Sequence, residues 1–380
     1  MTPAGVSASA PDLLGGHDQL ALVLQGGGAL GSYQAGVYQA LDEAGLRPDS
    51  VAGVSIGGIN AAIIAGNPPE RRVARLREFW ETVTAGRVWP MLPDGDSVRK
   101  MFNLWSSAMT ALLGQPGFFA PRAENAWFSP RGAPAATAFY DTAPLRETLL
   151  KLVDFDLLNR GGVHYAAGAV NVANGNFVYF DNRSTAIEPE HVMASGALPP
   201  AFPAVRIGSD HFWDGGLVSN TPLQHIVDNP TGDRPLVFQV DLFSASGAVP
   251  RDMAEVLARQ KDIQYSSRTR LVTDYFRERH GLKLMLKDLL ARVPEASLSS
   301  AEKAQKERLS HMPAFTILHL IYQQATYEGA AKDYEFSAQS MRDHWEAGYR
   351  DTRATLAHRS WLQAAPADDG IEVHDVHREG

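Results

Sequence analysis

A wholly apolar run, Leu20-Ala21-Leu22-Val23-Leu24, enters Gln25-Gly26-Gly27-Gly28-Ala29-Leu30-Gly31 and then Tyr33-Gln34-Ala35-Gly36-Val37-Tyr38-Gln39-Ala40-Leu41. A run apolar on both faces predicts a buried parallel strand. The mixed stretch predicts a helix, and Gly45 suits its C-terminal stop. The pattern repeats at once. Ser50-Val51-Ala52 leads through Gly53-Val54-Ser55-Ile56-Gly57-Gly58 into the helical run Ile59-Asn60-Ala61-Ala62-Ile63-Ile64-Ala65. Two successive strand–turn–helix units predict an α/β fold with a parallel sheet.

Further along, 163–172 and 177–180 have strand character and meet near Asn174-Gly175, a hairpin turn signal. Asp210-His211-Phe212 and Pro235-Leu236-Val237-Phe238-Gln239-Val240-Asp241 read as strands, the second one buried. From about residue 251 the period turns helical, with Met253, Val256 and Leu257 on one face and Met341, Trp345 and Tyr349 on another. Residues 315–322 interrupt this as a late strand that joins the sheet. The expected organisation is a loose leader (1–18), a catalytic α/β domain (19–245) and a mainly helical C-terminal extension (246–380).

Residues 86–140 stand apart. They mix Trp89, Phe102, Trp105, Phe118, Phe119, Trp127, Phe128, Phe139 and Tyr140 with many Pro and Gly, and 101–113 reads as a short apolar helix. This is either an insertion packed on the core or an apolar cap over a lipid-sized cleft.

Composition narrows the function. Hydrophobic residues make up 44% and charged residues 21%, as in a globular protein. A formal net charge of -8 argues against binding nucleic acid through its phosphates. The chain has no cysteine, which excludes disulfides, thiolate catalysis and Cys-based metal sites. No run is long and apolar enough to span a bilayer, and the N-terminus lacks a basic and apolar signal pattern. A cytoplasmic protein is the expectation. Arg268, Arg270, Arg277, Arg279, Lys283 and Lys287, interleaved with Leu271, Tyr275, Phe276, Leu282, Met285 and Leu286, mark either a solvated helix packed on the core or a basic amphipathic helix resting on anionic lipid.

Three glycine-rich turns carry the chemistry. Gly53-x-Ser55-x-Gly57 has the spacing of a sharp strand-to-helix elbow that exposes a hydroxyl near helix N-terminal amides. Ser55 is then a nucleophile, or else a helix cap. Gly26-x-Gly28-x-x-Gly31 matches a dinucleotide fingerprint, with Asp49 at a tolerable distance for a ribose contact. Equally, the amides of Gly26, Gly27 and Gly28 can hold a developing oxyanion. Trp213-Asp214-Gly215-Gly216 presents a carboxylate at a strand end. Asp214 is then a turn residue bonding its own backbone, or the group that takes the serine proton. His211 and His225 lie close to Asp214 in sequence, which leaves a Ser-His-Asp arrangement as a lesser alternative.

In this order, Gly26-Gly27-Gly28-Ala29-Leu30-Gly31, Gly53-Val54-Ser55-Ile56-Gly57 and Asp214-Gly215-Gly216 resemble the patatin-like phospholipases. The stretch Ala194-Ser195-Gly196-Ala197-Leu198-Pro199-Pro200-Ala201-Phe202-Pro203 and Asn220-Thr221-Pro222-Leu223 are similar to segments flanking the family's aspartate. The resemblance covers roughly residues 18–245. It implies a three-layer α/β/α fold and hydrolysis of lipid acyl esters through an acyl-enzyme. It implies Ser55 as nucleophile, Asp214 as proton acceptor, and Gly26, Gly27 and Gly28 as the oxyanion loop, with Gly31, Gly53, Gly57, Gly215 and Gly216 supporting these turns. No cofactor is implied, and no metal for the chemistry. The partners expected are a lipid or acyl-ester substrate and, peripherally, a membrane. The chain departs from the pattern at Leu30, where many relatives carry Arg or Lys. A nicotinamide-dependent oxidoreductase and a non-catalytic lipid-binding protein are the readings from other classes.

Overall fold

The computed structural model describes residues 14–84, 95–266, 269–310, 313–364 and 370–375. Residues 1–13 of the expected leader and Trp89 lie outside the described residues. Residues 14–18 are not loose: Asp18 accepts the amide hydrogens of Asp233 and Arg234 at 2.7 and 2.9 Å, and the His17 ring reaches the Arg234 carbonyl at 3.0 Å.

The protein is a three-layer α/β fold around a mostly parallel nine-stranded sheet. Its strands in chain order are β1 (Gln19–Leu24), β2 (Ser50–Val54), β5 (His164–Asn171), β6 (Phe177–Asp181), β7 (Val205–Ile207), β8 (Asp210–Asp214), β9 (Pro235–Asp241), β10 (Phe315–Ile321) and β11 (Ile371–Asp375), while β3 (Ala120–Pro121) and β4 (Tyr140–Asp141) form a separate ribbon. The spatial order is β11-β10-β9-β1-β2-β5-β8-β7, with β6 also paired to β5. The run from β11 to β5 is parallel, whereas β6, β7 and β8 pair antiparallel.

Alternation along β1 builds both cores. Leu20, Leu22 and Leu24 face the larger one, and Ala21 and Val23 the smaller. The larger core is covered by α1 (Ser32–Glu43), α2 (Ile56–Ala65) and α3 (Pro69–Thr84), each of which contributes buried apolar residues to it. Next come α4 (Asp96–Leu113), α5 (Pro189–Ser195), α6 (Leu223–Asp228), α7 (Met253–Tyr265), α8 (Thr269–Ala291) and α9 (Ala338–Ala357). The smaller core takes Leu223 and Ile226 from α6 and Phe276 from α8.

The last third of the chain is woven into this body. Strand β10 pairs in parallel with β9, from Thr316 opposite Leu236 to Ile321 opposite Asp241. Helix α9 lies against α1 so closely that a Cβ on Gly36 would come within 1.9 Å of the Trp345 carbonyl, and one on Gly348 within 2.0 Å of the Tyr33 carbonyl. Glycine at both positions permits that contact.

Within α8, Phe276 is buried while Tyr275, Leu282, Met285 and Leu286 are exposed. Arg277 pairs with Asp274, and Arg279 with Asp228 of α6. One face of this helix therefore packs on the sheet and the other is both apolar and basic. Arg268 lies outside the described residues, as do the side chains of Arg270 and Leu271. No helix among the described residues is long and apolar enough to cross a membrane.

Candidate active site

Strands β1, β2 and β9 run in parallel and end on the same edge of the sheet, and their loops meet there. Ser55 follows β2 and caps α2 with φ 56° and ψ -126°. It is the one non-glycine residue with positive φ among those described. Such a conformation costs about 1–3 kcal/mol and is held by its surroundings. Gly53 and Gly57 meet inside the turn, where a Cβ on Gly53 would lie 2.2 Å from Gly57 backbone atoms. The Ser55 amide is anchored by Ser195, donating to its carbonyl and its Oγ at 3.0 Å each, and Ser195 Oγ donates to the Gly168 carbonyl at 2.7 Å. Ser195 is fully buried at the end of α5.

Asp214 ends β8, pairs with Ala169 of β5, and is 2% exposed. Its Oδ1 accepts the Gly216 amide at 2.7 Å, and Ser55 lines the same cavity beside it. Burial pushes this carboxyl up to about 7, against the Ser55 and Gly216 hydrogen bonds that hold it down. A base with that value is half ionised near neutral pH. Gly215 is buried beneath the turn.

The glycine loop after β1 faces this pair. The Gly26 amide donates to the Asn220 carbonyl at 3.2 Å, so it is not free to hold an oxyanion, contrary to the expectation for Gly26. Gly27 and Gly28 have no such acceptor, and Gly28 has φ +54° with its α-carbon against the Asp333 carbonyl. Gly31 packs on Ile56 and Trp80 and positions α1 rather than the cavity.

Residues with no local sequence signal hold the loop. Asn220 Nδ2 donates to the carbonyls of Gly26 (3.0 Å) and Tyr265 (2.8 Å). Gln25, fully buried, accepts the amides of Leu242 and Phe243 at 2.6 and 2.9 Å and donates to Thr221 Oγ1 at 2.9 Å. Its carbonyl takes a bond from Gln34, which accepts one from Asn60, which in turn accepts from the Trp80 ring nitrogen. Leu30 is fully buried in the larger core and does not line the cavity.

Ser55, Asp214, Gly26, Gly27, Gly28, Gly216 and Asn220 line a cavity of about 590 Å³. Its other walls are mainly apolar and include Phe118, Phe119, Phe202, Phe243 and Phe336. Their rings pack edge to face, as with Phe118–Phe119 at 5.5 Å and Phe118–Phe336 at 5.8 Å between centroids. Phe118 and Phe119 of the aromatic segment thus pack on the core and wall the cavity, while Trp127 and Phe128 are exposed. Thr110, Ala111 and Phe139 form part of that wall, beside the exposed Leu112 and Leu113 of α4.

Two expectations fail on position. Asp49 precedes β2 and accepts the Leu20 amide at 2.8 Å, at the opposite end of β1 from the glycine loop. It cannot reach a ribose whose phosphates sit on that loop. His225 turns towards Asp181 and His211 is exposed, so neither serves Ser55, and no described histidine lines the cavity.

A strained serine, a buried carboxylate and free amides under an apolar cavity define a serine-hydrolase type of constellation. The Patatin-like phospholipase family model matches residues 22–227, and a second model described as Patatin phospholipase matches 263–368. The chain belongs to the patatin-like phospholipase family. It is 27% identical over 238 residues to Lysophospholipase NTE1 of Cryptococcus neoformans, covering 62% of this chain and 12% of that protein. It is 30% identical over 224 residues to an uncharacterised NTE family protein of Mycobacterium tuberculosis, covering 59% of this chain and 30% of that protein. The chain therefore spans only a small part of these relatives' length. Among solved structures, human GIVD cytosolic phospholipase A2 is similar with a TM-score of 0.42 and 12% identity, over 93% of this chain and 63% of that one.

Proposed function

We propose that this chain is a serine lipid acyl hydrolase working through a Ser55–Asp214 dyad. The observation that carries the reading is that the strained Ser55 and the buried Asp214 meet at the wall of one apolar cavity, with the Ser55 side chain acting on the Asp214 carboxyl. Asp214 takes the proton as Ser55 Oγ attacks the ester carbonyl. The Gly27 and Gly28 amides stabilise the tetrahedral oxyanion. Collapse releases the alcohol, on which Asp214 returns the proton, and leaves the acyl group on Ser55. Water activated by Asp214 then attacks that ester and frees the fatty acid. A chain held among Phe118, Phe119, Phe202 and Phe336 suits an acyl ester of a phospholipid or lysophospholipid. Family membership and the lysophospholipase relative both favour such lipids over other esters.

The deciding experiment runs a panel of phospholipids, lysophospholipids, neutral esters and thioesters against wild type and Ser55→Ala, with fluorophosphonate labelling of both. Hydrolysis and labelling by wild type alone are expected, with the variant reduced by on the order of a thousandfold or more. Equal activity in Ser55→Ala would sink the assignment. The proposed access to lipid runs past the exposed apolar residues beside the cavity, Leu112 and Leu113, with the apolar and basic face of α8 as a second proposed contact. Co-sedimentation with anionic vesicles that weakens with salt checks the α8 contribution, and equal partitioning into neutral vesicles argues against it.

A further inference from the structure

His164, Asp181 and His225 come together away from the cavity. Their ligand atoms all lie within 4.8 Å of one another. His164 Nε2 stands 2.8 Å from Asp181 Oδ2, and His225 Nε2 stands 3.0 Å from the same oxygen. The side chains of His164 and His225 are 2% and 7% exposed. His225 Nε2 is buried without a hydrogen-bond partner, because its approach to Oδ2 lacks the alignment of a donated N–H. We propose that His164, Asp181 and His225 form a three-ligand site for a divalent transition metal of the zinc class.

The chemistry of the donors fits. Two imidazole nitrogens and a carboxylate oxygen suit Zn²⁺ and its neighbours rather than the hard ions Mg²⁺ and Ca²⁺. Around a tetrahedral Zn²⁺ with bonds near 2.0 Å, ligand atoms sit about 3.3 Å apart. The two short separations need open by only a few tenths of an ångström. An outer shell is also present. Ser50 Oγ lies 3.3 Å from His164 Nδ1, and the Arg183 amide donates to Asp181 Oδ1 at 2.8 Å.

Position separates this site from the chemistry at Ser55. His164 pairs with Ser50 at the start of β2, whereas Ser55 follows its end. Five residues of strand put them about 16 Å apart. The ligands come from the start of β5 and the end of β6, the two paired strands of one hairpin, and from α6, which follows well after them in the chain. A metal there is a staple. It would fix α6, which begins just after the Asn220 segment that grips the glycine loop.

The test uses the full-length, tag-free protein, stripped with a chelator and dialysed. Titration with Zn²⁺ alone should saturate near one equivalent and raise the thermal midpoint by a few degrees, while Mg²⁺ and Ca²⁺ leave it unchanged. Co²⁺ should give the intense visible absorption of a tetrahedral site. His225→Gln and Asp181→Asn should each weaken binding more than tenfold and abolish the Co²⁺ band, with circular dichroism unchanged. If wild type takes up no metal, or if both variants bind as tightly as wild type, the site does not exist. A wild type without the tetrahedral Co²⁺ band would leave the cluster as a hydrogen-bonded His-Asp-His group and overturn the proposal even should the variants misfold.

Discussion

Asn220 and Gly26 grip each other through both backbone and side chain: the Gly26 amide donates to the Asn220 carbonyl at 3.2 Å, and Asn220 Nδ2 returns a bond to the Gly26 carbonyl at 3.0 Å. This reciprocal pair fixes the plane in which the next two amides point. Asn220→Ala removes both Nδ2 bonds, to the Gly26 and Tyr265 carbonyls, and leaves the loop freer to turn. We expect kcat to fall about 10- to 100-fold with KM changed less than threefold, since the loss falls on transition-state stabilisation. Steady-state kinetics on a soluble ester would decide it, and a change in KM alone would show Asn220 acting on substrate binding instead.

With Asp214 as the proposed base, its ionisation sets the pH dependence. A proton acceptor pushed up to about 7 is mostly protonated in mild acid. The value of kcat/KM should rise about tenfold per pH unit up to that point and level off above it. Ser55→Ala cannot be used for this profile, so the control is the stability of wild type across the same range. Activity flat down to pH 5 would contradict an Asp214 base.

The same burial makes Asp214 a thermodynamic liability. The folded chain keeps its proton to about pH 7, while the unfolded chain releases it near the ordinary carboxylate value. Between those limits the folded state binds more protons, so stability falls as pH rises. Asp214→Asn can still accept the Gly216 amide and carries no charge. It should be inactive yet more stable than wild type at pH 8, by on the order of a few kcal/mol, with the difference fading near pH 4. Thermal melts at the two pH values test this.

Gly28→Ala meets two obstacles at once, a φ of +54° and a carbonyl of Asp333 within 2.1 Å of the new Cβ. The loop must shift by ångströms. Loss of more than about 1 kcal/mol of stability and of most activity is expected. Urea unfolding with parallel assays would show it.

Ala111 is exposed yet lines the cavity near Phe139 and Tyr140. Ala111→Trp should narrow the entrance without disturbing the core, so stability should stay within about 0.5 kcal/mol. Long-chain esters should slow severalfold more than acetyl esters. Uniform slowing of both would place Ala111 away from the chain's path.

The parts of this site legible in the sequence are those written in local turn chemistry. Ser55 between Gly53 and Gly57, the triple glycine after β1 and the Asp214-Gly215-Gly216 turn each announce a tight backbone at a strand end. The wholly apolar run from Leu20 to Leu24 is equally local, and with the second strand–turn–helix unit it predicts the parallel sheet. Ser195, Asn220 and Gln25 act through long-range bonds, which leave no periodic trace. Phe243 and Phe336 reach the cavity only because β9 lies beside β1 and β10 beside β9. Spacing misled at Asp49 because distance along the chain does not tell which end of a strand a residue occupies. It misled at Gly26 because a glycine's amide can already have an acceptor from a segment far away.

Strand β9 lies outside the stretch matched by the family model, which ends at residue 227, yet it is the central neighbour of β1. Cutting the chain at that boundary would keep every residue of the proposed dyad and strip one side of β1 from Gln19 to Leu24, six consecutive buried positions. Such a fragment would present a bare, apolar strand edge and should assemble with itself rather than fold. For anyone dissecting this protein, the unit that alignment recognises is therefore smaller than the unit that can stand in solution.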